Sequence, residues 1–216
     1  MNTTILSSSV VQKALIALSG LLLSAFVLLH WAGNLLLLDA PGRYNQLAQE
    51  LQAWGWLFHG LEFTLLLAFI VHIWLTIAIR RQQKKCAPPY THRRQKKAWA
   101  GSWTVNLTSR LMVISGPLML GFLVIHLQQF RFHPGERNLE ALVAQLFHNP
   151  AWVAVYELAL LPLGWHLAHG LGSSLQSLGL GHESITPWLP RWSQMLSAIL
   201  VLGYAIIPLA IYAHSR

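Results

Sequence analysis

Five long apolar segments constrain the fold of this chain more than any other feature of its sequence. Each segment reaches the length of about 20 residues that a helix needs to cross a bilayer. They cover approximately residues 14–38, 56–79, 107–130, 151–175 and 193–213. Because helices satisfy their own backbone hydrogen bonds in lipid, the sequence predicts an all-α integral membrane protein. We expect five transmembrane helices in a single domain, 1–216.

The composition excludes an ordinary soluble domain. Of the 216 residues, 54% are hydrophobic and 10% are charged, whereas soluble domains carry about 25% charged residues. The mean hydropathy is +0.45. The single cysteine, Cys86, excludes a disulfide framework, a cysteine-based zinc site and a cysteine-ligated iron–sulfur cluster on this chain.

One basic segment accounts for the whole net charge of +8. Residues 80–97 contain eight basic and no acidic side chains. Such a run can bind nucleic acid, but basic residues confined to one loop between apolar segments follow the positive-inside rule better. We therefore expect no nucleic acid partner. This loop and the N-terminus should lie in the cytoplasm, with the protein in the inner (cytoplasmic) membrane.

The sequence contains an internal repeat. In the first and third segments a Ser-Gly pair is followed, after nine residues, by a histidine: Ser19-Gly20 with His30, and Ser115-Gly116 with His126. In the second and fourth segments a glutamate precedes a histidine by nine or ten residues: Glu62 with His72, and Glu157 with His166. Chance similarity among apolar segments is the alternative. The pattern favours a duplicated two-helix unit, followed by a fifth helix, with both copies running in the same direction.

The four histidines of the repeat fall at two depths. His30 lies 17 residues past Lys13, about 25 Å along an outward helix, and His126 lies at a similar depth. His72 is eight residues before Arg80, about 12 Å from the inner edge, and His166 is again in the inner half. The sequence therefore predicts an outer pair, His30 with His126, and an inner pair, His72 with His166.

Two stacked haems explain these pairs best. A single histidine in a membrane span is more often a hydrogen-bonded packing residue, but four on four helices at two levels favour ligands. A zinc site needs three or four ligands at one level, and a proton relay needs acids beside the histidines. Bis-histidine ligation leaves the iron no open position, which suits electron transfer. His169 lies on the same helical face as His166, and spacing alone does not choose between them.

The chain resembles the single-chain, five-helix, di-haem cytochrome b membrane-anchor subunit of succinate dehydrogenase and fumarate reductase. The resemblance covers essentially the whole chain and depends on the order and spacing of motifs that are each weak alone. These motifs are Ser8-Ser9 through Lys13 to Ser19-Gly20, His30-Trp31-Ala32-Gly33-Asn34-Leu35, His72-Ile73-Trp74, Ser109-Arg110-Leu111-Met112 with Gly116 and His126, and His166-Leu167-Ala168-His169-Gly170-Leu171 followed by Gln176-Ser177-Leu178-Gly179.

The resemblance implies a function and partners. It implies an electron-transfer and quinone-reactive subunit of a multi-subunit oxidoreductase, with two haem b groups and menaquinone or ubiquinone as substrate. It assigns the inner ligand to His166 rather than His169. A flavoprotein and an iron–sulfur subunit would dock on the cytoplasmic face, because this chain carries neither a dinucleotide fingerprint nor cluster-ligating cysteines. The dicarboxylate chemistry would belong to those partners, and the whole complex would be able to form a higher oligomer.

Other polar residues near the predicted haems are further candidates. Glu62, within the second segment, is a candidate proton partner for quinone, or an interfacial carboxylate bonded to a neighbouring helix. Lys13 and Arg110 enter their helices from the inside and would bind haem propionates or line a quinone site, or extend ordinarily to the membrane surface. Asn34 would bond to the outer haem or across helices.

Two other functions fit parts of the pattern. A di-haem, quinone-linked anchor of another respiratory complex, of the formate dehydrogenase, nitrate reductase or hydrogenase type, would use similar chemistry. A haem-free membrane transporter or structural membrane protein would leave the purified chain colourless.

Overall fold

The computed structural model consists of helices throughout the part of the chain that it describes. That part comprises residues 8–86, 103–132, 138–180 and 186–214, without the side chains of 83–86 and 103–110. It contains no strand. The helices are α1 (Ser9–Asn34), α2 (Arg43–Ala53), α3 (Trp56–Cys86), α4 (Trp103–Phe130), α5 (Leu139–Phe147), α6 (Pro150–Ser177) and α7 (Leu189–His214), with a 3-10 turn (Leu35–Leu38) after α1.

Five of these helices, α1, α3, α4, α6 and α7, are long and apolar enough to cross a membrane. Large apolar side chains are exposed on their outer faces: Leu29 is 71% exposed, Trp74 67% and Leu202 66%. Exposure of these apolar faces to water would be unfavourable, whereas lipid tails can cover them without a protein partner. The chain is therefore a multi-pass membrane protein, and the five predicted spans are confirmed.

The second span is longer than the sequence predicted. The helix α3 continues through residues 80–86, which belong to the segment that the sequence predicts as a cytoplasmic loop. The reason is local, because the run from Arg80 to Lys85 consists of arginine, glutamine and lysine, all good helix formers. A proline disfavours helical backbone at the residue that precedes it. The helix α3 accordingly ends at Cys86, two residues before Pro88. The rest of the basic loop, residues 87–97, lies outside the described residues.

The helix α6 is at the centre of the bundle and packs against α1, α4 and α7, while α3 packs against α1. Small residues allow α6 and α7 to approach closely. The Ser197 hydroxyl of α7 donates to the carbonyl of Gly164 in α6 at 2.7 Å. A methyl group added at Gly172 would come within 2.9 Å of the Ser193 hydroxyl oxygen. The fifth membrane helix is thus fixed on the fourth.

Two short helices, α2 and α5, lie in the connections α1–α3 and α4–α6. One carboxylate joins them. The side chain of Glu140 in α5 accepts hydrogen bonds from the backbone N–H groups of Gly42 at 2.8 Å and Tyr44 at 2.9 Å, at the start of α2. The first N–H groups of a helix have no partner within it and favour a negative charge. Glu140 therefore caps α2.

The apolar face of α5 closes the same end of the bundle. Val143 and Phe147 pack with Val153 of α6 in a buried cluster. Tyr156 of α6 packs against this cluster, and its position becomes important for the site described next.

Candidate functional site

The histidines of the outer pair face each other across the bundle. His30 in α1 and His126 in α4 have ring centroids 5.9 Å apart and ring planes at 84°. An aromatic residue one turn earlier flanks each imidazole: Phe26 lies 5.5 Å from His30, and Phe122 lies 5.8 Å from His126. The helix period places residues i and i+4 on the same face, so each flanking ring is supplied by the same helix as the histidine.

The inner pair has the same arrangement on the other two helices. His72 in α3 and His166 in α6 have ring centroids 6.2 Å apart, with ring planes at 60°. His169, one turn after His166, makes no ring contact with His72 in the described part of the chain. The structure therefore brings His166 rather than His169 to the inner pair.

The separation within each pair suits one metal ion between two imidazoles. Two metal–nitrogen bonds of about 2 Å, with about 1 Å from each nitrogen to its ring centre, place the centroids about 6 Å apart. The observed distances are 5.9 and 6.2 Å. Among the described residues, no group of three or more His, Cys, Asp and Glu side chains is able to hold a metal ion, and each pair stands without a third such ligand.

Hydrogen bonds orient the inner imidazoles. The Nδ1 atom of His72 lies 3.2 Å from the carbonyl oxygen of Ile16 and 3.3 Å from the hydroxyl of Ser19. Because a carbonyl oxygen only accepts, Nδ1 must carry the proton and donate it. The lone pair is therefore on Nε2, the atom left for a metal.

A second serine occupies the corresponding place beside His166. The hydroxyl of Ser115 lies 3.3 Å from Nδ1 of His166, and Ser115 is fully buried. Ser19 and Ser115 are the serines of the two Ser-Gly pairs on which the predicted repeat is based. Sequence reasoning gave these two serines no role at the histidines. The signal that could have indicated one is their identical spacing from His30 and His126.

Tyr156 makes the equivalent contact in the outer pair. Its hydroxyl lies 3.2 Å from Nδ1 of His126. Sequence reasoning missed this residue, because a tyrosine in an apolar segment is ordinary and carries no spacing signal. A hydrogen bond on the other ring nitrogen is what metal-binding histidines usually have, since it fixes the ring and its tautomer.

The glycines on the helices around the inner pair differ in how closely they are packed. A methyl group added at Gly20 would come within 3.1 Å of Cε1 of His72, whereas at Gly116 and Gly170 it would meet nothing within 4 Å. The fit to a cofactor depends instead on the facing imidazoles, whose separation suits one metal ion in each pair. The residues present therefore fit the donor set of a bis-histidine haem.

No family model, curated protein or solved structure matches this chain. What its site does must be inferred from the residues and their geometry.

A cavity of about 330 Å³ opens between α1, α3 and α6 at the end of the bundle where the inner pair lies. Lys13, which is exposed, lines this cavity together with Ser174 and Ser177. Arg110, the other basic residue that we predicted to enter a helix from the inside, is within α4, but its side chain lies outside the described residues. Asn34 ends α1, and its side chain makes no capping hydrogen bond to the 3-10 turn that follows.

Glu62 is bonded at the opposite end of α3. Its carboxylate accepts from Nε and Nη2 of Arg131 at 3.1 and 3.3 Å and lies 3.1 Å from Nδ1 of His59. The side chain of Glu62 is 32% exposed. This geometry is that of the interfacial alternative, a carboxylate bonded to the end of a neighbouring helix. The same position places a proton-accepting carboxylate at the end of the bundle opposite to the inner pair.

Proposed function

We propose that this chain is the membrane-anchor cytochrome b subunit of a succinate:quinone oxidoreductase, a succinate dehydrogenase or fumarate reductase. One observation carries the proposal. Four histidines on four membrane helices form two pairs, with ring centroids 5.9 and 6.2 Å apart. Buried imidazoles in a membrane are costly unless they are bonded or ligated, and pairs at two levels suit two metal centres.

Four residues would hold the two haem b groups: His30 with His126, and His72 with His166. A haem held by two imidazoles supplies one-electron transfer and offers no open iron position to a substrate. The chain itself supplies the ligands, fixes the tautomer of His72 through the Ile16 carbonyl, places a serine hydroxyl beside each inner imidazole, and surrounds the outer pair with aromatic rings. Lys13, beside the cavity, would bind the acidic groups of the inner haem, as would Arg110.

The orientation follows from the charge distribution. We place the N-terminus and the basic segment 80–97 in the cytoplasm, with the chain in the inner membrane. The inner pair then lies toward the cytoplasmic side, where an iron–sulfur subunit and a flavoprotein would dock and carry out the dicarboxylate chemistry.

Quinone would exchange electrons and protons with this chain within the membrane. Glu62 is the candidate for the proton transfer, because a carboxylate in a membrane-spanning helix is a functional candidate by default. Its partners Arg131 and His59 would hold it in place at the outer end of α3.

Haem quantitation tests the proposal. The wild type and the single alanine variants of His30, His72, His126 and His166 are purified, and haem b is measured as the pyridine hemochromogen. We expect two haems per chain in the wild type. Each variant should lose or damage one haem, and the two members of a pair should affect the same one.

His169→Ala is the matched control, since it removes a histidine of α6 that makes no ring contact with another imidazole among the described residues. It should retain both haems. A folded wild-type protein that is colourless would contradict the electron-transfer function and favour a transporter or structural role.

A second measurement identifies the complex. Membranes that contain the chain should reduce quinone with succinate, or oxidise quinol with fumarate, and the chain should co-purify with a flavoprotein and an iron–sulfur subunit. Two haems together with partners that oxidise formate or hydrogen, or reduce nitrate, would instead assign the chain to another respiratory complex.

A further inference from the structure

We infer that Tyr156 is a positioning residue for the outer pair: its hydroxyl holds His126 in the tautomer that leaves Nε2 free for iron. The inference rests on the proposed function and deepens it. It concerns a residue that the sequence patterns did not single out, and it explains how the outer ligand from α4 is oriented by a different helix, α6.

The direction of the hydrogen bonds carries the first step. The Tyr156 hydroxyl lies 2.7 Å from Oε1 of Gln129, an oxygen that only accepts. The single hydroxyl proton is therefore committed to Gln129. The tyrosine oxygen is left to accept from Nδ1–H of His126, which lies 3.2 Å away. The chain from His126 through Tyr156 to Gln129 thus fixes the imidazole proton on Nδ1.

The position of the tyrosine ring is set by the core rather than by this hydrogen bond. Its ring meets Phe122 and Phe147 edge to face, with centroids 4.9 Å away in both contacts. Aromatic pairs in this geometry are favourable beyond their buried area. A variant that keeps the ring and loses only the hydroxyl should therefore keep the fold.

The other ligand of the outer pair lacks an equivalent contact. Tyr204 lies beside His30, with centroids 6.4 Å apart, but its hydroxyl donates to the backbone carbonyl of Val27 at 2.7 Å. In the described part of the chain, no hydrogen bond reaches a ring nitrogen of His30. Two tyrosines therefore flank the outer pair, and only Tyr156 bonds to an imidazole.

The consequence is a change in the strength of one ligand. An acceptor on Nδ1–H makes the imidazole a more basic ligand, and loss of such a partner typically costs about 10–100-fold in metal affinity or activity. The more basic ligand favours ferric over ferrous iron. We expect loss of the Tyr156 hydroxyl to change the ferric-to-ferrous equilibrium of the outer haem about tenfold toward ferrous, which is about 59 mV upward for one electron.

The test compares Tyr156→Phe with Tyr204→Phe. Both variants remove one hydroxyl beside the outer pair and keep the aromatic ring. Both haems of each purified protein are titrated by optical and electron paramagnetic resonance spectroscopy. Tyr156→Phe should raise the midpoint potential of the haem that is lost in His126→Ala and leave the other unchanged. Tyr204→Phe should leave both potentials within the error of the titration.

A second variant and a haem-free measurement support the test. Gln129→Leu keeps the tyrosine hydroxyl but removes its acceptor, so it should produce a smaller shift in the same direction. In the haem-free protein, ¹⁵N NMR should find His126 as the Nδ1–H tautomer in the wild type and as a mixture of tautomers in Tyr156→Phe. The His126→Ala spectrum identifies the signal.

The outcomes separate this inference from the proposed function. A wild type without haem contradicts the proposed function and the inference with it. Two haems in the wild type, together with an outer potential and a His126 tautomer that Tyr156→Phe leaves unchanged, overturn the inference alone. A shift of equal size in both haems also overturns it, since that would report a general loosening of the bundle.

Discussion

The imidazoles of His72 and His166 lie with their centroids 6.2 Å apart, and a serine hydroxyl lies 3.3 Å from Nδ1 of each. The two serines come from α1 and α4, the helices that carry the outer histidines. The helices α1 and α4 thus each supply a histidine at one level and a hydrogen-bonding serine at the other. Changes at one level should therefore be separable from changes at the other.

Loss of the Ser115 hydroxyl should weaken the inner site more than loss of the Ser19 hydroxyl. Ser115 is the hydrogen-bond partner of Nδ1 in His166, whereas His72 keeps the Ile16 carbonyl when Ser19 is lost. We expect Ser115→Ala to reduce inner haem affinity by about 10-fold or more, and Ser19→Ala to have a smaller effect. Haem titration of the haem-free protein measures both.

Ser24→Ala is the control for these serine variants. In the part of the chain that the structure describes, the Ser24 hydroxyl donates to the carbonyl of Gly20, within its own helix, and to no other group. Its loss should leave both haems bound. Equal effects of all three variants would mean that serines stabilise the helices and do not orient the histidines.

A methyl group beside the inner pair should exclude haem without unfolding the protein. At Gly116 an added methyl meets no protein atom within 4 Å, so Gly116→Ala should fold at least as well as the wild type, given the better helix propensity of alanine. If a macrocycle occupies that space, the variant loses inner haem and keeps the outer one. Hemochromogen content and the thermal unfolding midpoint in detergent distinguish the two effects.

Gly60→Ala, where a methyl group is also unobstructed, should keep both haems and serves as the comparison. Full inner haem in Gly116→Ala would show that the macrocycle does not lie against this face of α4.

The ion pair between Glu62 and Arg131 allows a structural role to be separated from a proton-transfer role. Both Glu62→Gln and Arg131→Gln break the pair, at a cost of about 1 kcal/mol or less for side chains this exposed. Only Glu62→Gln removes the carboxylate. We expect a lower rate of quinone reduction in Glu62→Gln than in Arg131→Gln, with the haem content of both unchanged. Equal rates in the two variants would mean that Glu62 is only an interfacial contact and takes no part in proton transfer.

The Glu140 carboxylate should contribute measurably to stability because it caps α2 from another helix. Its oxygens accept from the N–H groups of Gly42 and Tyr44. Glu140→Ala should lower the free energy of unfolding by about 0.5–2 kcal/mol, the usual cost of losing an N-terminal cap. The unfolding of purified protein in detergent measures the loss.

Glu50→Ala provides the matched comparison for this cap. Among the described residues, Glu50 accepts a side-chain hydrogen bond from Gln46 alone, within α2, and its loss should cost much less. A Glu140→Ala variant as stable as Glu50→Ala would contradict the assignment of the cap.

The five membrane spans were predictable because length and hydropathy alone decide whether a helix can cross a bilayer. The helix α3 ends at Cys86, beyond the predicted boundary. This extension was also predictable, because helix-forming residues precede Pro88. The sequence also predicted which histidines pair with each other, because the helical rise per residue gives the level of each histidine along its helix. The haems, the quinone and the partner subunits stay predictions.

The sequence by itself determined at which level of the bundle each histidine lies, because an α-helix rises by a fixed distance per residue. Only the tertiary structure decided which faces meet: that Ser19 and Ser115 reach the inner histidines, that Tyr156 rather than Tyr204 bonds to an imidazole, and that Arg131 pairs with Glu62. These contacts join residues on different helices, and they depend on how each helix is rotated about its axis. That rotation is set by the packing of all the helices together, which the local pattern of one segment does not contain.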